Sequence, residues 1–186
     1  MSPARFLLKS FFKNISLTYW LILANAIIFI FFLIFPNLVP YFALKPSDIL
    51  QGKNIWGLLT HIFMHAGFFH LFFNMFTLFF IGNFIEKIIG RKRFFWFYIL
   101  AGLLGGIFFV GASFLGLSNP EIYGVGASGA IFGFLGLLAM LTPKARVYLI
   151  AGPLIAIVLL SIVEAVFGLI PVLSLILNIY FYSYHK

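Results

Sequence analysis

An all-α polytopic membrane protein is the fold class this sequence predicts, on three observations. Of its 186 residues 63% are hydrophobic and only 9% are charged, a balance far from that of soluble globular domains. The apolar residues gather into runs about as long as the roughly 20 helical residues that a hydrocarbon core demands. The charged residues fall in the gaps between those runs, where water reaches them.

The runs are residues 17–35, 58–85, 94–115, 125–141 and 147–169, each bounded by Pro, Gly or charge. They predict five transmembrane helices. After Pro171 comes one more apolar stretch, 172–184, whose 13 residues are short for a crossing. The opening segment carries Arg5, Lys9 and Lys13 ahead of an apolar run, as a signal peptide does. That run exceeds the roughly 7 to 15 residues of a signal core, and no small-residue cleavage site follows, so it is read as the first span. The expected organisation is a cytoplasmic segment over 1–16 and a single membrane domain over 17–186.

The formal charge of +8 comes from basic residues beside spans rather than on one soluble face, so no nucleic-acid partner is implied. If the spans alternate, residues 5, 9, 13, 87, 91, 92, 93, 144 and 146 fall on one side, against Lys45 and Lys53 on the other. Nine basic residues against two predict a multi-pass protein of the cell membrane with a cytoplasmic N-terminus. The absence of cysteine excludes a disulfide framework, a thiolate metal site and a cysteine nucleophile. The first loop, 36–57, is rich in Pro, Gly, Trp and Tyr and predicts a partly submerged hairpin at the interface. Gly102, Gly105, Gly106 and Gly111, and then Gly129, Gly133 and Gly136, recur at helical spacing. Small residues let backbones approach in lipid, which makes the fourth span the expected central helix.

Ser128 lies in Gly124-Val-Gly126-Ala-Ser128-Gly129-Ala, a glycine-bearing turn leading directly into an apolar helix. Unpaired N–H groups and the positive dipole end at a helix start stabilise a developing oxyanion, which acyl transfer needs. A serine there also simply caps a helix, and the motif alone accommodates both roles. It differs from the G-x-S-x-G elbow of the α/β-hydrolases, because Ala130 stands where the last glycine belongs. A second cluster places His61, His65, His70 and Asn74 within an otherwise apolar run, where polar groups are expensive unless paired. His70 and Asn74, four apart, share a helix face. Gly67 is expected to separate that helix from a loop bearing His61 and His65, whose imidazoles tie the loop to the helix end. His61 and His65 lack the glutamate of H-E-x-x-H, so no metal is expected.

Together these pieces resemble the rhomboid family of intramembrane serine proteases, from about residue 17 to about residue 169. The resemblance is carried by the His-x-x-x-His-x-x-x-x-His-x-x-x-Asn pattern at 61, 65, 70 and 74, by Gly82-x-x-x-Glu86-x-x-x-Gly90 leading to Arg93, and by Gly126-x-Ser128-Gly129. It implies that Ser128 is the nucleophile, with His70 and Asn74 joining the Ser128 backbone N–H in an oxyanion hole. It implies that Phe132 takes an aromatic position beneath the catalytic histidine, with His61 and His65 in support, and that Glu86 and Arg93 hold the end of the second span and the loop after it. It also implies no cofactor and no metal, the lipid bilayer as surroundings, and transmembrane helices of other proteins as substrates.

One part of that pattern is missing. The family's general-base histidine sits near the start of a sixth span, and here Phe181 occupies the corresponding position, with His185 one helical turn later. The sequence therefore predicts very slow turnover or none, because a neutral serine without a base is a poor nucleophile. Two explanations fit: a C-terminally truncated or frameshifted chain, or a pseudoprotease that binds transmembrane segments without cutting them. A transporter or channel is a third class, weakened by the lack of an inverted repeat and by Glu164 as the sole acid deep in a span.

Overall fold

The computed structural model describes residues 15–141. Among them three helices are long and apolar enough to cross a membrane: α1 (Leu17–Ile34), α5 (Phe68–Ile89) and α6 (Arg91–Phe114). A further apolar helix, α7, covers Ser128–Leu141. The predicted runs 147–169 and 172–184 and the opening segment 1–14 lie outside the described residues, as do Glu164 and His185.

Helix α1 contains neither Pro nor Gly, and it stops where Pro36 forces the preceding Phe35 out of helical geometry (φ −121, ψ 63). The first loop is a chain of short helical turns rather than the expected hairpin: Pro36–Leu38, α2 (Val39–Phe42), α3 (Pro46–Leu50), α4 (Gly57–Thr60) and His61–Phe63. Prolines at 36, 40 and 46 each stand in a first turn, where the missing N–H has no intrahelical partner to lose. Two side chains pin the loop to itself, Trp56 Nε1 donating to the Tyr41 carbonyl (2.7 Å) and Thr60 Oγ1 to that of Phe42 (2.5 Å).

The second span begins at Phe68, not at residue 58. Its apolar run continues upstream because Ile62 and Met64 are buried against the bundle, and hydrophobicity does not distinguish a buried loop from a span. Met64 and Gly67 are both extended, so the backbone leaves helical geometry before α5 starts. Within α5, the stretch Leu78–Gly82 widens into a π-helical turn. There α1 comes close: a Cβ on Gly82 would stand 2.9 Å from Thr18 Cγ2.

Helix α6 buries Phe94, Tyr98, Gly102, Gly106 and Val110, one stripe at a spacing of four. Its neighbours lie on that stripe. Ile62 and His61 fill the space a side chain at Gly102 or Gly106 would need, and Gly105 meets Gly129 of α7 so closely that a Cβ on it would stand 3.0 Å from the Gly129 Cα. Phe134 of α7 stacks between Phe94 (4.7 Å) and Phe97 (5.5 Å). Backbone approach of this kind is what holds helices together in lipid, where apolar burial alone discriminates little.

One end of the bundle is closed by polar side chains. Glu86 accepts the N–H groups of Leu17 (2.7 Å) and Thr18 (2.8 Å) and the Thr18 hydroxyl (2.7 Å), while Ser16 donates to Asn83 (3.0 Å) and Arg91 to the Ile15 carbonyl (2.9 Å). A carboxylate at a helix N-terminus satisfies orphan donors and complements the dipole. The first loop and the start of α7 lie at the opposite end.

Candidate active site

The site is assembled from the turn before α7, the start of α5 and the His61 turn. Gly126 has φ +124, a conformation that side chains rarely adopt. It also has no room for one: a Cβ there would stand 2.7 Å from His70 Nε2 and 3.8 Å from Ser128 Oγ. The imidazole of His70 and the hydroxyl of Ser128 therefore face the same small space across Gly126. Ser128 opens α7, half-buried, at the end where the first backbone N–H groups lack helical acceptors.

His61 fixes that turn from below. Its carbonyl accepts the Gly126 N–H (2.9 Å), its Nδ1 lies 2.9 Å from the Gly57 carbonyl, and its ring packs where Gly106 leaves space. The Nδ1 contact makes that nitrogen the donor and leaves Nε2 as the acceptor of a neutral ring. His65 stands edge-on to His70, with ring centres 5.1 Å apart. Asn74 is buried and donates its amide to the His70 carbonyl (2.8 Å), so it braces the turn of α5 that carries His70. Gly129 meets α6 at Gly105, and Phe132 is 45% exposed.

Glu86 holds the end of its span by way of the start of α1, and Arg93 is exposed, whereas Arg91 makes the contact with Ile15. Among the described residues no group of three His, Cys, Asp or Glu side chains is placed to hold a metal. Serine chemistry at this site needs no metal, only a base and an oxyanion site.

Sequence reasoning missed the clamp on the loop ahead of Ser128. Leu44 and Gly124 exchange backbone hydrogen bonds (3.1 and 2.7 Å), and the Ser47 N–H donates to the Pro120 carbonyl (3.0 Å). Lys45 Nζ stands 2.6 Å from the Glu121 carboxylate and 5.8 Å from the centre of the Tyr123 ring. The hydrogen bond with Lys45 holds the Glu121 carboxyl below the usual carboxylate range, and the reciprocal bond raises Lys45. The available signal was that Glu121 is the one charge of its loop, facing a first loop that carries Lys45, Asp48 and Lys53.

Over residues 52–182 the chain matches the Rhomboid domain. It is 43% identical over 102 residues to Rhomboid protease GluP of Bacillus subtilis (strain 168), covering 55% of this chain and 18% of that protein. Putative rhomboid protease YdcA of the same organism is 30% identical over 136 residues, 69% of this chain and 63% of that one. Inactive RHOMBOID-like protein 8 of Arabidopsis thaliana is 34% identical over 98 residues, 53% and 26% of the respective chains. The chain thus spans less than two thirds of each of these relatives. With a domain match over more than half its length and apolar helices long enough to cross a bilayer, this integral membrane protein belongs to the rhomboid family.

Proposed function

We propose that this chain is an intramembrane serine endopeptidase that cuts other membrane proteins within or beside their transmembrane helices. Ser128 supplies the nucleophile. The observation that supports this best is the space at Gly126, where the His70 ring and the Ser128 hydroxyl both come within 4 Å of the place a Cβ would take and only a glycine fits. Attack of Oγ on a scissile carbonyl forms an Oγ–carbon bond as the carbonyl π bond breaks, and leaves the oxygen of the tetrahedral adduct negative beside the Ser128 N–H and the His70 imidazole, both able to donate. Asn74 acts on that step through the His70 turn. The proton must pass to a base, for which His185 is the candidate imidazole, and return from it to the amine as collapse breaks the C–N bond and leaves the acyl-enzyme ester, which water then hydrolyses. Residue 181, where family resemblance puts the proton acceptor, is Phe, and His185 is the nearest imidazole in sequence. The single membrane domain of 17–186, a cytoplasmic N-terminus and a place in the cell membrane belong to the same proposal.

A second reading, a rhomboid-like protein that binds transmembrane segments without cutting them, is favoured by that Phe181. One experiment separates the two. Purified protein in bilayer discs is exposed to a fluorophosphonate probe and to a single-span reporter. Slow labelling and cleavage, both abolished by Ser128→Ala, are expected of the endopeptidase, and loss of both in His185→Ala would name the base. Saturable reporter binding with no labelling at any pH would establish the second reading instead.

A further inference from the structure

Beside the candidate site lies a cavity of about 240 Å³ whose lining includes Phe29, Val39, Met64, His65, Tyr123 and Val125. Val39 comes from the first loop, and Tyr123 and Val125 come from the loop that ends on Gly126. The outer wall of the cavity is therefore shared by the two loops that the Leu44–Gly124 bridge joins. That bridge is backbone and indifferent to side chains. Two contacts along the same seam depend on charge, the ion pair of Lys45 with Glu121 and the Lys45 ammonium over the Tyr123 ring, and one side chain makes both. Other charges nearby are otherwise engaged: Asp48, which faces Lys45, accepts from Asn54 (2.9 Å), and Lys53 donates to Gln51 (2.8 Å).

We infer that Lys45 is a positioning residue for substrate, acting through Glu121 and Tyr123 to hold the cavity wall beside Ser128 in the shape that receives a residue of the bound transmembrane segment. The inference rests on the substrate reading above and adds to it the residue that sets the wall. Lys45 touches neither Ser128 nor the bond to be cut, so its loss acts on affinity rather than on the chemical step. An exposed pair contributes little by itself, which limits the expected effect to about two- to fivefold. The pair is also open to screening, so high ionic strength loosens the wall in the same direction.

Two measurements test this. Because the chain contains no cysteine, Val39→Cys places a single thiol on the cavity wall. Its alkylation by a water-soluble maleimide should accelerate severalfold in Lys45→Met. Salt at about 1 M should accelerate it in the Lys45 protein but not in Lys45→Met. The second measurement is binding of a fluorophore-labelled single-span peptide to the Ser128→Ala protein in bilayer discs. Lys45→Met should weaken it two- to fivefold, Lys45→Arg should leave it near its original value, and the swapped pair Lys45→Glu with Glu121→Lys should restore it, with the unfolding midpoint moving in Lys45→Met by no more than the small margin that an exposed pair contributes. Unaltered labelling and affinity in Lys45→Met would overturn the inference while leaving the protease reading intact. Failure of every variant to bind the peptide would overturn the substrate reading and this inference with it.

Discussion

The carbonyl of His61 accepts the backbone N–H of Gly126 at 2.9 Å. That bond joins the histidine cluster of the first loop to the turn that presents Ser128, so two regions 65 positions apart in sequence share one fixed geometry.

Gly126→Ala places a Cβ 2.7 Å from His70 Nε2 on a backbone with φ +124. Either the ring or the turn must shift. Strain in such a conformation costs about 1–3 kcal/mol, and the displaced imidazole leaves the space it shares with Ser128. The expected outcome is fluorophosphonate labelling reduced at least about tenfold, as loss of an oxyanion donor does or exceeds, with the helical circular-dichroism signal retained.

Glu86→Ala removes the acceptor of two backbone N–H groups and one hydroxyl at the start of α1. Hydrogen bonds to charged groups contribute about 1.5–3 kcal/mol each when buried. Glu86 is only partly buried, so a loss of roughly 1–3 kcal/mol in total is expected. Denaturant unfolding in mixed micelles reads it directly. The fraction that remains folded should label at the original rate, because Ser128 lies at the other end of the bundle.

Of the five expected spans, three are helices of crossing length among the described residues and a fourth is the shorter α7; they were legible because a bilayer imposes a length and a charge distribution that composition alone reveals. The Gly67 break was legible too, because the spacing of His65 and His70 does not suit one continuous helix face. What stayed hidden was the start of α5, since Ile62 and Met64 are as apolar in a buried loop as they would be in lipid. Glycine spacing in α6 and α7 announced a close crossing, and Gly105 against Gly129 is that crossing. Two of the three partners of Glu86 were invisible, because they are backbone N–H groups, which carry no residue identity. Pairing of Lys45 with Glu121 was concealed by distance along the chain.

Asn25 and Tyr98 form a polar contact inside the bundle: Asn25 donates to the Leu21 carbonyl (2.8 Å) and lies 3.5 Å from the Tyr98 hydroxyl, and its own Oδ1 has no hydrogen-bond partner in the structure. An unpaired buried carbonyl costs about 1–3 kcal/mol. Asn25→Leu, of similar volume, removes that group together with the donor. It should leave stability within about 1 kcal/mol of the original or raise it, and a loss above about 2 kcal/mol in the same unfolding assay would show that the pair locks α1 to α6.

Acid should loosen the seam between the first loop and the loop ahead of Ser128. The Glu121 carboxyl is held below its ordinary value by Lys45, so the ion pair contributes stability above the unfolded carboxylate value, near 4.3, and that contribution fades as pH falls through the lower folded value. Lys45 is raised, so on the alkaline side the contribution is complete below about 10.4 and fades as pH rises through the higher folded value. Between those limits the pair is pH-independent. Unfolding midpoints measured from pH 3 to 7 should fall more steeply for the original chain than for Glu121→Gln, by a small margin because the pair is exposed.

The carboxylate that caps α1 has a consequence for synthesis. Leu17 and Thr18 find their acceptor 69 and 68 positions further along the chain. When a ribosome has produced only the first helix, the N–H groups at its leading end have water or lipid headgroups for company. They acquire a permanent partner once the second helix has been made and has turned back alongside. The two spans thus complete each other as a hairpin, and a chain halted before residue 86 would hold a first helix with a frayed start.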